Sequence, residues 1–205
     1  MKNLIIKNCM TYIKNNTDYN ETKLKEIEYG LTGLYLTISK FIVIIIISIY
    51  LRMFKEMLIF ICLFNVIRMP AFGLHATKSW ICLISSILIF IGLPIICINL
   101  SLNNILKVII GLICTLLMLK NSPADTYKRP IVSKKRRKVY NTISVIISIV
   151  FSIISVNINN NFISNCLIFA LILENCLISP YVYKLFKLPY NNYITYIKNH
   201  PDVAI

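Results

Sequence analysis

Six apolar segments, near residues 32–51, 57–67, 79–99, 103–119, 142–158 and 162–178, constrain this chain more than any other feature. A bilayer core takes about 20 residues of helix to cross. The first and third segments meet that length easily. The second, Met57–Ile67, is short and either tilts little or ends inside the membrane, as a re-entrant segment would. Composition agrees: 57% of the residues are hydrophobic and only 15% charged, against about 25% charged in an ordinary soluble domain. The expected fold class is an all-α, polytopic integral membrane protein with about six membrane segments and an N-terminal amphipathic helix.

Residues 1–30 are mixed in character, with Lys2, Lys7, Lys14, Lys23 and Lys25, and lack the apolar core of a secretory signal. Leu4, Ile5, Ile6, Cys9, Met10 and Ile13 share one helical stripe, and Lys7 and Lys14 another. That pattern fits a helix lying on the cytoplasmic leaflet or an ordinary packed helix. Three regions follow: 1–30 as an interfacial cytoplasmic region, 31–179 as a single transmembrane helical domain, and 180–205 as a cytoplasmic tail. Pro94 is expected to kink the third segment.

Basic residues orient the spans. The chain has 22 Lys and Arg against 8 Asp and Glu, a net charge of +14. With the N-terminus inside and six crossings, eighteen of the 22 fall on inner segments, and the outer loops hold only Arg52 and Lys55. The outer turns SLNN and NINNN carry no charge. This asymmetry places both termini and the loop 68–78 at the cytoplasmic face. Because the basic residues lie between apolar runs, they give no sign of a fold that reads nucleic acid.

The seven cysteines form no CxxC, and most sit inside apolar runs, where Cys behaves as a small hydrophobe. Neither a disulfide framework nor a zinc site is expected, and no other cofactor is implied. One cysteine differs in setting. In FGLHATKSWIC, residues 72–82, His75 precedes Cys82 by seven residues in a polar break between the second and third segments. Seven residues of unbroken helix rise about 10.5 Å, whereas proton transfer needs contact within about 2.6–3.2 Å. A working pair therefore requires His75 to lie off the Cys82 helix, on a segment that folds back. Pro70 and Gly73 disfavour regular helix before His75, and Thr77 or Ser79 suits the N-cap of the third segment. Cys82 then falls in the first turns of that helix, where unsatisfied N–H groups and the helix dipole favour a thiolate. The same N–H groups could hold an oxyanion. The competing reading is a histidine satisfied by a backbone carbonyl and a cysteine that merely packs.

The run RMPAFGLHATKSWIC, with NSPADTYKRPI at residues 121–131, resembles the accessory gene regulator protein B (AgrB) family of membrane cysteine endopeptidases in quorum sensing. Size, hydropathy and the order of the two motifs agree across nearly the whole chain. The resemblance implies Cys82 as nucleophile, His75 as general base and acid, and supporting roles for Arg68, Gly73, Lys128 and Arg129. Met69 stands where the family often has a second basic residue, and Tyr127 interrupts the basic run of the second motif. The implied substrate is an AgrD-type propeptide, cut before its acidic C-terminal tail through a thioester that cyclises to a thiolactone or lactone. A homodimer is compatible with the family.

Two carboxylates compete for a third catalytic position. Glu174, near the inner end of the sixth segment, either orients His75 or pairs with Lys40, Lys107 or a backbone donor. Asp125 either serves the site or acts as a turn residue after Pro123. Lys120, Lys128, Arg129 and Lys134–Lys138 make the inner loop strongly basic. That charge orients the chain, contacts anionic lipid and attracts an acidic tail. Tyr181, Tyr183, Tyr190, Tyr193 and Tyr196 are expected at the membrane interface, and His200 in a solvated tail. Two rivals remain on sequence grounds: a small peptide exporter without peptidase activity, which should show internal repeats or midplane charges, and a non-catalytic scaffold.

Overall fold

The structure is a computed structural model of the full chain and describes residues 2–17, 19–74, 79–126 and 130–199. Among these residues the regular secondary structure is helical, with no strands. The helices are α1 (Lys2–Asn16), α2 (Glu21–Tyr50), α3 (Phe54–Ala71), α4 (Ser79–Ile87), α5 (Leu93–Asn99), α6 (Asn104–Asn121), α7 (Lys134–Asn157), α8 (Asn161–Ile178), α9 (Pro180–Leu185) and α10 (Asn192–Asn199). A π-helical turn, Leu88–Gly92, joins α4 to α5. Five stretches are long and apolar enough to cross a membrane: α2, Trp80–Asn99, α6, α7 and α8. The sixth expected segment is α3. It is 18 residues long rather than the eleven of its apolar stretch, and it carries Lys55, Glu56 and Arg68.

The chain divides into two compact units, Met1–Arg52 and Met53–Ile205. In the first, α1 packs on α2, burying Ile6 and Met10 and leaving Leu4, Ile5 and Cys9 exposed. The N-terminal stripe is thus split between packing and exposure. Asn20 caps α2 by accepting from the Lys23 N–H at 2.9 Å, satisfying one of the orphan donors of a helix start.

The second unit is built around α8, which packs against α3, α5, α6, α7 and α9. Its core joins Phe60, Phe64 and Ile67 of α3, Cys97 of α5, Met118 of α6, Phe151 of α7 and Leu167 and Leu171 of α8. Polar groups inside are matched to backbone ends. Asn165 of α8 donates to the carbonyls of Cys97 at 3.0 Å and Leu100 at 2.6 Å, closing the C-terminus of α5. Asn141 of α7 donates to Ser122 O at 2.7 Å and Leu119 O at 3.1 Å, doing the same for α6. Gly111 lets α6 and α7 approach so closely that a Cβ there would lie 2.5 Å from Ser152 Oγ.

Just before Pro94, where a kink was expected, the helix widens into the π turn. Leu93 N–H still reaches Ile89 O, so the wider turn absorbs the ring that would otherwise crowd the preceding carbonyls. Pro70 behaves differently from the reading above. Helix α3 runs through it to Ala71, and the chain leaves the helix only at Phe72, which takes φ 61° and donates its N–H to Arg68 O at 3.0 Å.

Candidate functional site: the loop between α3 and α4

Three residues after α3, Phe72, Gly73 and Leu74, are held by backbone bonds from two other elements. Gly73 N–H donates to Ala124 O at 2.8 Å, and Ala124 N–H donates to Ala71 O at 3.0 Å. These two bonds make a parallel bridge between the end of α3 and the loop after α6. Leu74 N–H donates to Leu177 O at 3.0 Å, at the end of α8. The Phe72 ring meets Tyr140 of α7 edge-on, with centroids 5.1 Å apart.

Arg68 holds the same loop from beneath. It sits one turn before the end of α3, within reach of the loop that follows. Its Nη2 donates to Leu74 O at 2.7 Å, and its Nη1 lies 3.3 Å from both Oε1 and Oε2 of Glu174. The Glu174 side chain is fully buried and that of Arg68 is 15% exposed. Glu174 therefore pairs with Arg68, a partner the sequence reading did not name; Lys107, one of the partners it did name, is buried on α6. Gly73 is required beside this pair. Its φ is +106°, and a Cβ would stand 2.6 Å from Arg68 Nη1 and 3.0 Å from Leu177 O. Close approach and backbone conformation both exclude a side chain.

Asp125, three residues on from Ser122, is buried and occupied. Its Oδ1 accepts from Asn192 N–H at 3.1 Å, and its Oδ2 from Tyr193 N–H at 2.8 Å and Ile131 N–H at 3.4 Å. The carboxylate thus caps the start of α10, and its backbone carbonyl accepts from Tyr183 OH at 3.2 Å. Arg137 turns inward from the basic run. It lies 3.7 Å from Asp125 Oδ2 and 3.7 Å from the Tyr193 ring centroid, and donates to Pro123 O at 3.4 Å. Its neighbours Lys134, Lys135, Arg136 and Lys138 are exposed. Burial pushes the Tyr183 and Tyr190 hydroxyls above the ordinary phenol value. Of the five tyrosines assigned to the interface, Tyr183, Tyr190 and Tyr193 thus face this loop, while Tyr181 and Tyr196 are exposed.

Cys82 is the fourth residue of α4 and is partly exposed. Its carbonyl accepts from Ser85 Oγ at 3.2 Å. His75, Thr77, Lys128 and Arg129 lie outside the described residues. The structure brings Arg68, Gly73 and Glu174 together directly, and joins Asp125 to them through Ala124.

A profile of the family described as accessory gene regulator B matches residues 6–178. The chain belongs to that family. A putative AgrB-like protein of Clostridium acetobutylicum is 29% identical over 83% of this chain and 82% of its own length. Accessory gene regulator protein B of Staphylococcus aureus strain Newman is 31% identical over 74% of this chain and 80% of its own. That of strain MW2 is 32% identical over 71% and 77%. No solved structure matches. For this AgrB-family chain, the residues not singled out from the sequence are Asn141, Asn192 and Leu177, and Arg137 was read only as one cation of the basic run. Nothing in their local pattern marks them, because each acts on backbone groups contributed by a distant segment.

Proposed function

We propose that this chain is a membrane cysteine endopeptidase that removes the C-terminal tail of an AgrD-type quorum-sensing precursor. In this reading the Cys82 thiolate attacks the carbonyl carbon at the tail junction, and N–H groups of the first turn of α4 stabilise the oxyanion. The C–N bond breaks, the departing amine takes a proton from the His75 imidazolium, and a thioester joins the precursor to Cys82. A thiol or hydroxyl of the precursor then attacks the thioester, releasing a thiolactone or lactone and restoring the Cys82 sulfur; water attacking instead gives a linear peptide. An internal nucleophile gains from its high effective concentration.

The observation that carries this reading is the fixation of Leu74, the residue just before His75. Arg68 holds its carbonyl and Leu177 accepts from its N–H. A general base needs such a backbone, since a misplacement of about 1 Å costs on the order of a hundredfold in rate. Arg68 and Glu174 act as positioning residues in this scheme. Asp125, with its carboxylate already accepting three backbone N–H groups, has the weaker claim to a catalytic place. Lys128 and Arg129, with the exposed Lys134, Lys135, Arg136 and Lys138, attract the acidic tail. The reading places both termini and the site at the cytoplasmic face, with the chain working as a monomer or homodimer.

The test is co-expression with a tagged cognate precursor, following tail removal by gel shift. Cys82→Ala and His75→Ala are expected to insert normally and leave the precursor uncut. Normal tail removal by Cys82→Ala would overturn the assignment, and would favour a transporter or scaffold.

A further inference from the structure

The segment after α8 has two unlike faces. Tyr183, Tyr190, Asn192 and Tyr193 turn toward the Asp125 loop, as described above. Tyr181, Leu185 and Phe186 point away from the protein, at 84%, 77% and 55% exposure. Lys184 and Lys187 are exposed among them. Residues 180–199 hold three lysines and no acidic residue. Three large apolar side chains exposed within six residues, next to cations only, are poorly suited to water.

Their place along the chain says what covers them. Helix α8 is a membrane-crossing candidate of 18 residues, about 27 Å long, close to the hydrocarbon thickness of about 30 Å. Its last residue is Ile178, and α9 begins at Pro180. Tyr181 is three residues beyond the span, so it lies within about 10 Å of the hydrocarbon edge. The headgroup layer on each side is about 5–8 Å deep. An aromatic and aliphatic face flanked by lysines fits that layer, with rings at the acyl boundary and ammonium groups among phosphates.

We propose that residues 180–199 form a strap docked on an anionic lipid headgroup layer through Tyr181, Leu185, Phe186, Lys184 and Lys187, while the opposite side of the strap holds the Asp125 loop. The bilayer surface then restrains a loop whose next residue back, Ala124, bridges to Gly73. This assignment stands apart from the proposed proteolysis, because it concerns lipid contact alone.

The test uses the full chain with one tryptophan, Trp80→Phe combined with Phe186→Trp, reconstituted in phosphatidylcholine vesicles with or without one quarter phosphatidylglycerol. The acyl chains carry bromine either near the headgroup or near the terminal methyl. The expected result is blue-shifted emission, quenched at least twofold more by shallow than by deep bromine, and more strongly with phosphatidylglycerol. Adding Lys184→Gln and Lys187→Gln should remove the phosphatidylglycerol effect, since each lysine contributes roughly fivefold to partitioning onto an anionic surface. Water-like, unquenched emission would overturn the docking. Equal quenching with and without phosphatidylglycerol would overturn the preference for anionic lipid. Emission that is shielded, unquenched and dependent on protein density would assign the face to a second copy instead, and overturn it likewise.

Discussion

Replacing Glu174 by Gln separates two roles of the Arg68–Glu174 pair. The glutamine keeps the shape and one acceptor but removes the charge facing a guanidinium that is 15% exposed. Breaking a buried pair by removing one partner typically costs 3–5 kcal/mol. Here the cost should fall below that range, about 2–3 kcal/mol, because Arg68 keeps its 2.7 Å bond to Leu74 O and some access to water. A loss of about 2 kcal/mol is roughly a thirtyfold change in an equilibrium constant. Arg68→Met should cost at least as much, since it strands the fully buried carboxylate and also frees the Leu74 carbonyl. The informative variant is the double replacement, Arg68→Met with Glu174→Leu. Apolar replacement of both partners is often neutral for stability, yet the Leu74 carbonyl still lacks its donor. Thermal unfolding in detergent should therefore return close to wild type in the double variant, while removal of the precursor tail stays at least tenfold slow. Wild-type processing by the double variant would refute the idea that Arg68 works by holding Leu74. An unchanged melting temperature in Glu174→Gln would refute the energetic argument for the pair.

Three further outcomes are expected. Gly73→Ala should destabilise the loop by about 1–3 kcal/mol, from its backbone conformation and the collision with Arg68 Nη1; reduced tail removal with normal membrane insertion is the readout, and wild-type processing would contradict it. Asp125→Ala leaves the Asn192 and Tyr193 N–H groups without their carboxylate, at about 1–3 kcal/mol; limited proteolysis should then cut faster between Lys184 and Lys198, and unchanged cutting would show that the carboxylate does not hold α10. The raised Tyr183 hydroxyl contributes stability that is complete below the ordinary phenol value of about 10 and is lost as pH rises toward its folded value. Thermal stability should thus fall as pH is taken above about 10, and Tyr183→Phe should flatten that fall; an equal slope in both proteins would refute it.

Much of the site was legible locally. Arg68 and Gly73 were marked by the motif, and Cys82 was read correctly as an early residue of the helix after the polar break. The length of α3 was misjudged because hydropathy registers only its apolar middle, not the charged turns that extend it to Ala71. Proline was also given too much weight as a stop signal. Pro70 lacks only its own N–H, and the helix ends where Phe72 turns to a positive φ. The Arg68 partner of Glu174 was not foreseen, because charge alone does not say which cation is brought to a buried carboxylate 106 residues away; only packing does.

What the sequence by itself determines is everything set by local physics: which stretches are oily enough for lipid, where polar breaks fall between them, and where cations accumulate. Hydropathy and charge act residue by residue, so they survive without knowledge of neighbours. Tertiary structure alone decides the pairings. Arg68 and Glu174 stand 106 residues apart, and Asp125 meets the N–H groups of Asn192 and Tyr193 across 67 and 68 residues. Each contact depends on α8 packing centrally and returning its end to the loop after α3. A buried carboxylate must find some donor, but which donor is a consequence of how the helices meet.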